Sequence, residues 1–263
     1  MAGQRNTSGI QLSASGWLED HNNAKKELRY KFAKEIAKQN PKSIIDIGCG
    51  TGLWLEIFND VLPKNCKFIG IDLDENSLKE AKKRSMNNDR ECEWIALDVN
   101  KEPEKIPSAD LAFIFNFSSY IEDISAFLNQ LTPEKGFKKI VIRQFLGDEI
   151  KFGPFNTHTQ TNIDSSIKAS MDGSKQIKYF DLDRLMNAVQ KSNRKVVFQD
   201  FELFKAFSPF SDNAFPYIKG TAEWTAERVP DNERKAINKW IKKAEAKKDL
   251  LYFFSIDWLS ILS

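Results

Sequence analysis

The chain has 263 residues, 41% of them hydrophobic and 29% charged, with 20 Phe and 6 Trp; this is enough for one elaborated domain around a single core and excludes general disorder. Thirty-nine basic residues against 37 acidic ones leave a net charge of +2, which argues against a protein that binds nucleic acid mainly through its phosphates, although a local basic patch stays open. Three cysteines, Cys49, Cys66 and Cys92, show no C-x-x-C spacing and so indicate neither a disulfide framework nor a zinc site.

The opening stretch, MAGQRNTSGIQLSASG, is small and polar and is expected to be mobile. It has no apolar leader region, and no later stretch approaches the roughly 18 consecutive apolar residues of a membrane span, so a soluble, cytoplasmic protein is expected. From Trp17 to Lys38, Leu28, Phe32, Ile36 and Ala37 fall at helical spacing. A short apolar strand, Ser43 to Ile47, follows, then a glycine cluster and a helix from Leu53 to Leu62 that stops near Pro63.

The alternation then repeats: strand 67–72, helix 75–86, strand 92–98, strand 111–117, helix 124–131 and strand 138–143. Strands alternating with helices, and apolar runs that are continuous, imply a doubly wound α/β fold with helices on both faces of a mostly parallel sheet. After Arg143 the rhythm breaks into a loop with Gly147, Gly153, Pro154 and Gly173, followed by a helix over 181–192 and a strand over 196–207. An irregular stretch, 208–219, leads to a helix over about 221–247 and an apolar closing strand over 250–259. The expected organisation is a lid-like segment at 1–41, then one domain over 42–263 with variable insertions at about 144–180 and 208–248.

The strongest chemical signal is Asp46-Ile-Gly48-Cys49-Gly50-Thr-Gly52 between a strand and a helix. Glycines let the backbone turn sharply and approach a ligand where a Cβ would collide, and the helix start offers free N–H groups. The spacing is G-x-G-x-G, with Leu53 where a dinucleotide fingerprint needs its third glycine, and no G-K-[ST] follows. A nicotinamide dinucleotide or nucleoside triphosphate site is therefore disfavoured. Asp72, the first acid of GIDLD with Leu73 beside it, is a strand-end carboxylate able to accept from two ribose hydroxyls. Asp74 suits the cap of the next helix better. Asp98 closes the third strand in the same way, with Val99 next to it.

IDIGCGTG resembles the first motif of the class I S-adenosylmethionine (SAM)-dependent methyltransferases. The resemblance covers Lys42 to about Arg143 and implies a seven-stranded Rossmann-like sheet with an antiparallel last strand and a helical insertion before it. It implies SAM as cofactor, with S-adenosylhomocysteine as product, and no metal. Asp46, Gly48, Cys49, Gly50, Asp72, Leu73, Asp98, Val99 and Asn116 then become cofactor contacts, with Asp72 on the ribose, Asp98 and the Val99 backbone on adenine, and the segment of Asn116 on the methionyl amine. Enzymes of the class that methylate base amines carry N/D-P-P-Y/F at this last point, whereas this chain reads Asn116-Phe-Ser-Ser-Tyr120. Arg143-Gln144 stands where metal-assisted catechol enzymes carry an acid and Asn.

Toward the end, Tyr217-Ile-Lys-Gly-Thr221 resembles the W-V-K-G-T segment of trans-aconitate methyltransferases, with Tyr217 in the tryptophan position. This resemblance implies a carboxylate acceptor, which Lys219 or Arg143 would position by charge. A carboxylate is ionised at neutral pH and needs no base. For a phenol, the only histidines, His21 and His158, and Tyr120 are the catalytic candidates, against an ordinary exposed role for either histidine. Trp17, Tyr120 and Phe155 could line an apolar pocket or belong to the core. The helix over about 221–247 sets Ile237, Trp240, Ile241 and Ala244 on one face and five lysines, with Lys248 just beyond, largely elsewhere, the pattern of a packed helix with a solvated basic face. The leading expectation is methyl transfer to a small-molecule acceptor. An enzyme acting on RNA or protein and a SAM-binding module without catalysis are the alternatives; the oligomeric state is left open.

Overall fold

The computed structural model describes residues 15–172 and 182–263. The polar opening stretch through residue 14, Gly173 and Asp181 lie outside the described residues. The chain divides into two compact units. The core unit takes its described residues from Glu27–Phe145, Asp181–Glu202 and Asp257–Ser263, and the second unit from Met1–Lys26, Leu146–Phe180 and Leu203–Ile256.

In the core unit, β1 (Ser43–Ile47), β2 (Lys67–Asp72), β3 (Cys92–Ala96), β4 (Leu111–Phe115) and β5 (Lys139–Phe145) are parallel in the order β3-β2-β1-β4-β5. Strands such as Ile44-Ile45-Asp46-Ile47 and Leu111 to Phe115 are buried along their length, as expected of strands covered on both faces. The last strand, β8 (Tyr252–Leu262), pairs antiparallel with β5 from Phe145↔Asp257 to Ile140↔Leu262. Helices α2 (Lys26–Ala37) and α3 (Leu53–Val61) place Phe32, Ile36, Trp54 and Phe58 against Phe113, Phe115 and Val141, each large side chain contributing about 1.5–3 kcal/mol of burial. Helices α4 (Glu75–Ser85), α5 (Ile124–Gln130) and α7 (Leu182–Lys191) complete the unit.

In the second unit, β6 (Lys151–Gly153) pairs antiparallel with the first residues of β8. Around it are α1 (Ser15–Ala24), α6 (Thr157–Asp172), α8 (Phe215–Ala226) and α9 (Asp231–Ala246). β7 (Val196–Phe207) also pairs with β8, so the sheet holds eight strands among the described residues, one more than expected. The extra strand is β6.

Several strand ends shift by two or three residues, and four stretches differ in kind from the sequence reading. The first long helix is two, α1 and α2, meeting at Lys25, after the weak helix formers Asn22 and Asn23. The expected loop after Arg143 contains β6 and α6. Among the residues whose burial is described, its helix buries Ile163 and Ile167, too narrow a stripe to register against Thr, Asn and Ser. The irregular stretch before Lys219 contains the start of α8, because Pro216 sits in its first turn, where a proline is tolerated. The long helix expected to follow is interrupted at Pro230, which has no N–H to give and becomes the N-cap of α9.

Candidate functional site

β1 ends in a turn whose glycines all take left-handed backbone, with φ of 80° at Gly48, 52° at Gly50 and 79° at Gly52. The Gly48 and Cys49 N–H groups donate to the Ile71 carbonyl at 2.8 and 2.9 Å, fastening the turn to β2. A Cβ at Gly48 would overlap the Phe117 ring, so this position needs glycine on two counts. At Gly52 a Cβ would lie 3.1 Å from that of Ala81 on α4.

Asp72 closes β2 with its carboxylate turned to the same turn, accepting from Gly50 N–H at 2.8 Å and from Asp74 N–H at 2.9 Å. Burial pushes its pKa up while those two N–H groups oppose the shift. One N–H on each oxygen leaves acceptor capacity on both. Asp74 instead caps α4, accepting from Asn76 and Ser77 N–H. Leu73 stands half exposed between the two acids.

Asp46 is 1% exposed at the end of β1, and its Oδ1 has no hydrogen-bond partner among the described residues. Burial, then the Asp72 charge, pushes its pKa up to about 8, with Arg29 pulling the other way. Arg29 escaped the sequence reading. It is buried on the stripe of α2 that also carries Phe32, Ala33 and Ile36, and its guanidinium lies 4.7 Å from the centre of the Trp54 ring. A charge inside an apolar stripe was the available signal.

Asp98 lies just past β3, accepting from Asn100 N–H at 3.1 Å and ion-paired with Lys101 at 3.2 Å; Val99 beside it is buried. Asn116 follows β4 in left-handed conformation, φ 54°. Its N–H donates to the Arg143 carbonyl and its Oδ1 accepts from Phe145 N–H, each at 2.7 Å. Tyr120 ends a short 3-10 turn with its ring 5.8 Å from that of Phe117. Cys49 is a buried free thiol whose pKa burial drives up.

The expected acceptor residues divide between the units. Arg143 does not present its charge to an acceptor: it is 1% exposed and ion-paired with both Glu202 and Asp257, and it lies 5.3 Å from the Trp54 ring. In the second unit, Trp17 and His21, one turn apart on α1, pack on Tyr217 of α8, with ring centroids at 5.3 and 4.9 Å. His21 is 5% exposed. Lys25, next on that face and also unforeseen, is 1% exposed with its ammonium 5.9 Å from the Tyr217 and Phe204 rings. Lys219 pairs with Glu245 at 2.7 Å. His158 is exposed in the first turn of α6, 3.2 Å from the Asn162 amide. Among the described residues no group of three or more His, Cys, Asp or Glu is placed to hold a metal ion, and no helix is long and apolar enough to cross a membrane.

Residues 45–133, which hold the glycine turn, Asp72, Asp98 and Asn116, match the family model described as a methyltransferase domain. Those residues carry a methyltransferase domain. Sequence comparison with curated proteins finds no match. Among solved structures, the methyltransferase fold recurs in a protein of Bacillus halodurans described as a candidate methyltransferase, with 12% identity, a TM-score of 0.53 and coverage of 89% of this chain and 97% of that one. A cyclopropane synthase of Mycobacterium tuberculosis gives 9%, 0.53, 90% and 84% for the same quantities. The YcgJ protein of Bacillus subtilis gives 10%, 0.52, 90% and 97%. At these identities the likeness concerns the fold.

Proposed function

We propose that this methyltransferase acts on a small-molecule acceptor. The observation that carries the reading is the segment of Asn116: Phe117-Ser118-Ser119 follows it where enzymes that methylate base amines carry P-P-Y/F, and its side-chain oxygen already accepts from Phe145 N–H, which fixes the amide against β5. The near-neutral charge balance points the same way.

The residues at the glycine turn fit SAM. Asp72, already oriented by Gly50 and Asp74, would accept from both ribose hydroxyls through its remaining lone pairs. The orphaned Oδ1 of Asp46 would accept from the methionyl ammonium, which offsets the cost of a buried carboxylate. Asp98 and the Val99 N–H would meet adenine, with Leu73, Cys49, Gly48 and the Asn116 backbone lining the path. SAM supplies a methyl group already activated by its sulfonium, so the chain's own task is to align a nucleophile and exclude water.

On the acceptor side, the insertions at about 144–180 and 208–248 and the segment 1–41 shape specificity in this reading. Trp17, His21 and Lys219 remain the acceptor candidates, with His21, Tyr120 or His158 as base where the acceptor needs one. Arg143 does not belong with them while both its carboxylates hold it.

The test is label transfer from methyl-labelled SAM to a metabolite extract and, separately, to RNA and protein. Label in a small molecule supports the reading, and methanol released from it by mild base identifies a carboxyl ester. Label confined to macromolecules overturns it.

A further inference from the structure

The second unit contains a cavity of about 310 Å³ that takes no residue from the glycine turn or the strand ends around it. It opens between the start of α6, one face of α9 and the chain leading into β8, and its size falls at the lower end of small-molecule sites. Its apolar wall is aromatic, made by Phe155 and Trp240 with Leu251 beside them. Trp240 is 2% exposed and its Nε1–H already donates to the Gly153 carbonyl at 2.8 Å. The small part of the indole that reaches the cavity is therefore ring alone, and the partly exposed Phe155 gives the larger aromatic face, so a ligand ring placed there gains contact without having to satisfy a polar atom.

The charged lining residues are Lys239, Lys243 and Asp249. Lys243 and Asp249 pair at 3.2 Å, whereas Lys239, exposed one residue before Trp240, has no carboxylate partner among the described residues. One positive charge is left over. α6 also begins at this rim, with Asn156 accepting from Thr159 N–H at 2.8 Å, so the positive end of its dipole adds to the lysine. A single anionic group fits that balance. A dianion such as phosphate would meet the Asp249 carboxylate with charge to spare.

We propose that this cavity is a binding site for an aryl monocarboxylate, with the ring against Trp240 and Phe155 and the carboxylate on Lys239. The site is separate from the one assigned to SAM and needs no SAM to fill.

The experiment is calorimetric titration of the full chain, without SAM, using 2-naphthoate, its uncharged analogue 2-naphthamide and inorganic phosphate as probes. Saturable binding of 2-naphthoate with a Kd on the order of 0.1 mM is expected, with 2-naphthamide about tenfold weaker or more. Lys239→Glu should weaken 2-naphthoate by at least about tenfold. Its melting temperature and SAM affinity should stay as in the parent, since Lys239 is exposed and outside the glycine turn. Absence of saturable binding overturns the proposal, as does equal binding of the amide or an unchanged affinity in Lys239→Glu. Displacement of 2-naphthoate by equimolar phosphate would remove the monoanion assignment. Loss of SAM binding in the parent protein would instead count against the cofactor site and leave this result standing.

Discussion

The carboxylate of Asp72 accepts the backbone N–H of Gly50 at 2.8 Å, across 22 residues of sequence. The glycine turn after β1 and the acid after β2 are thereby one assembly, and the acid is oriented before any ligand arrives. Such preorganisation reduces the ordering that binding would otherwise require. Asp72→Ala should weaken SAM binding by about tenfold to a hundredfold, since two hydrogen bonds to a charged acceptor disappear. Equilibrium SAM titration checks this. Full affinity in the variant would remove Asp72 from the site.

Gly48→Ala adds a methyl group to a residue with φ of 80° and directs it into the Phe117 ring. Strain and overlap together should destabilise the protein by about 2 kcal/mol or more, read as a lowered denaturation midpoint. Phe117→Ala in the same chain should recover the steric part and leave the backbone part. If the double variant is no more stable than Gly48→Ala, the ring contact is not what limits that position.

Asp46 gives the apo protein a definite pH dependence. Its pKa is about 8 in the folded chain against an ordinary value near 4 when unfolded. Between those values the folded state holds the proton that the unfolded state has released, so stability falls as pH rises through the window and levels off above pH 8. Asp72, also raised, adds to the slope in the same direction. Asp46→Asn should flatten the dependence and raise the melting temperature at pH 8 by a few degrees. Denaturation from pH 5 to pH 9 with both proteins is the measurement, and identical slopes would show that Asp46 ionises normally.

How much of this could be read from the sequence depends on distance along the chain. The turn from Asp46 to Gly52 was legible because its requirements are local: positive φ at three glycines and a helix directly after. Asp72 and Asp74 were also separable, since a cap serves the next two or three residues and a strand-end acid does not. The role of Arg143 was not legible. Its partners, Glu202 and Asp257, lie 59 and 114 residues away, on strands whose pairing no local pattern specifies. The sequence position alone suggested an acceptor contact. Lys25 and Arg29 were passed over for a related reason, because a search for apolar periodicity skips charged residues even when they occupy its stripe.

The Arg143 arrangement predicts a stability effect in place of a specificity effect. Arg143→Met removes the cation and leaves Glu202 and Asp257 facing each other in the interior. Breaking a buried pair in this way costs about 3–5 kcal/mol, and the fall in denaturation midpoint should be partly reversed at pH 4–5 as the carboxylates take up protons. Combining it with Asp257→Leu and Glu202→Gln should restore much of the loss. A variant that kept its stability but changed which acceptor is methylated would return Arg143 to the acceptor site.

The two histidines are distinguishable by burial. His158, exposed at the start of α6, should tolerate Gln with a stability change within about 0.5 kcal/mol, so that a fall in kcat of that variant would report a base and an unchanged kcat would remove His158 from the candidates. His21 is held by stacking on Tyr217 at 4.9 Å. If it is the base, His21→Gln should lower kcat by about a hundredfold or more and abolish the acidic limb of the kcat against pH profile, with KM for SAM unaltered. Loss of packing alone would lower the melting temperature and the amount of active enzyme but leave the shape of that profile intact. The pH profile of the surviving activity therefore separates a catalytic His21 from a structural one.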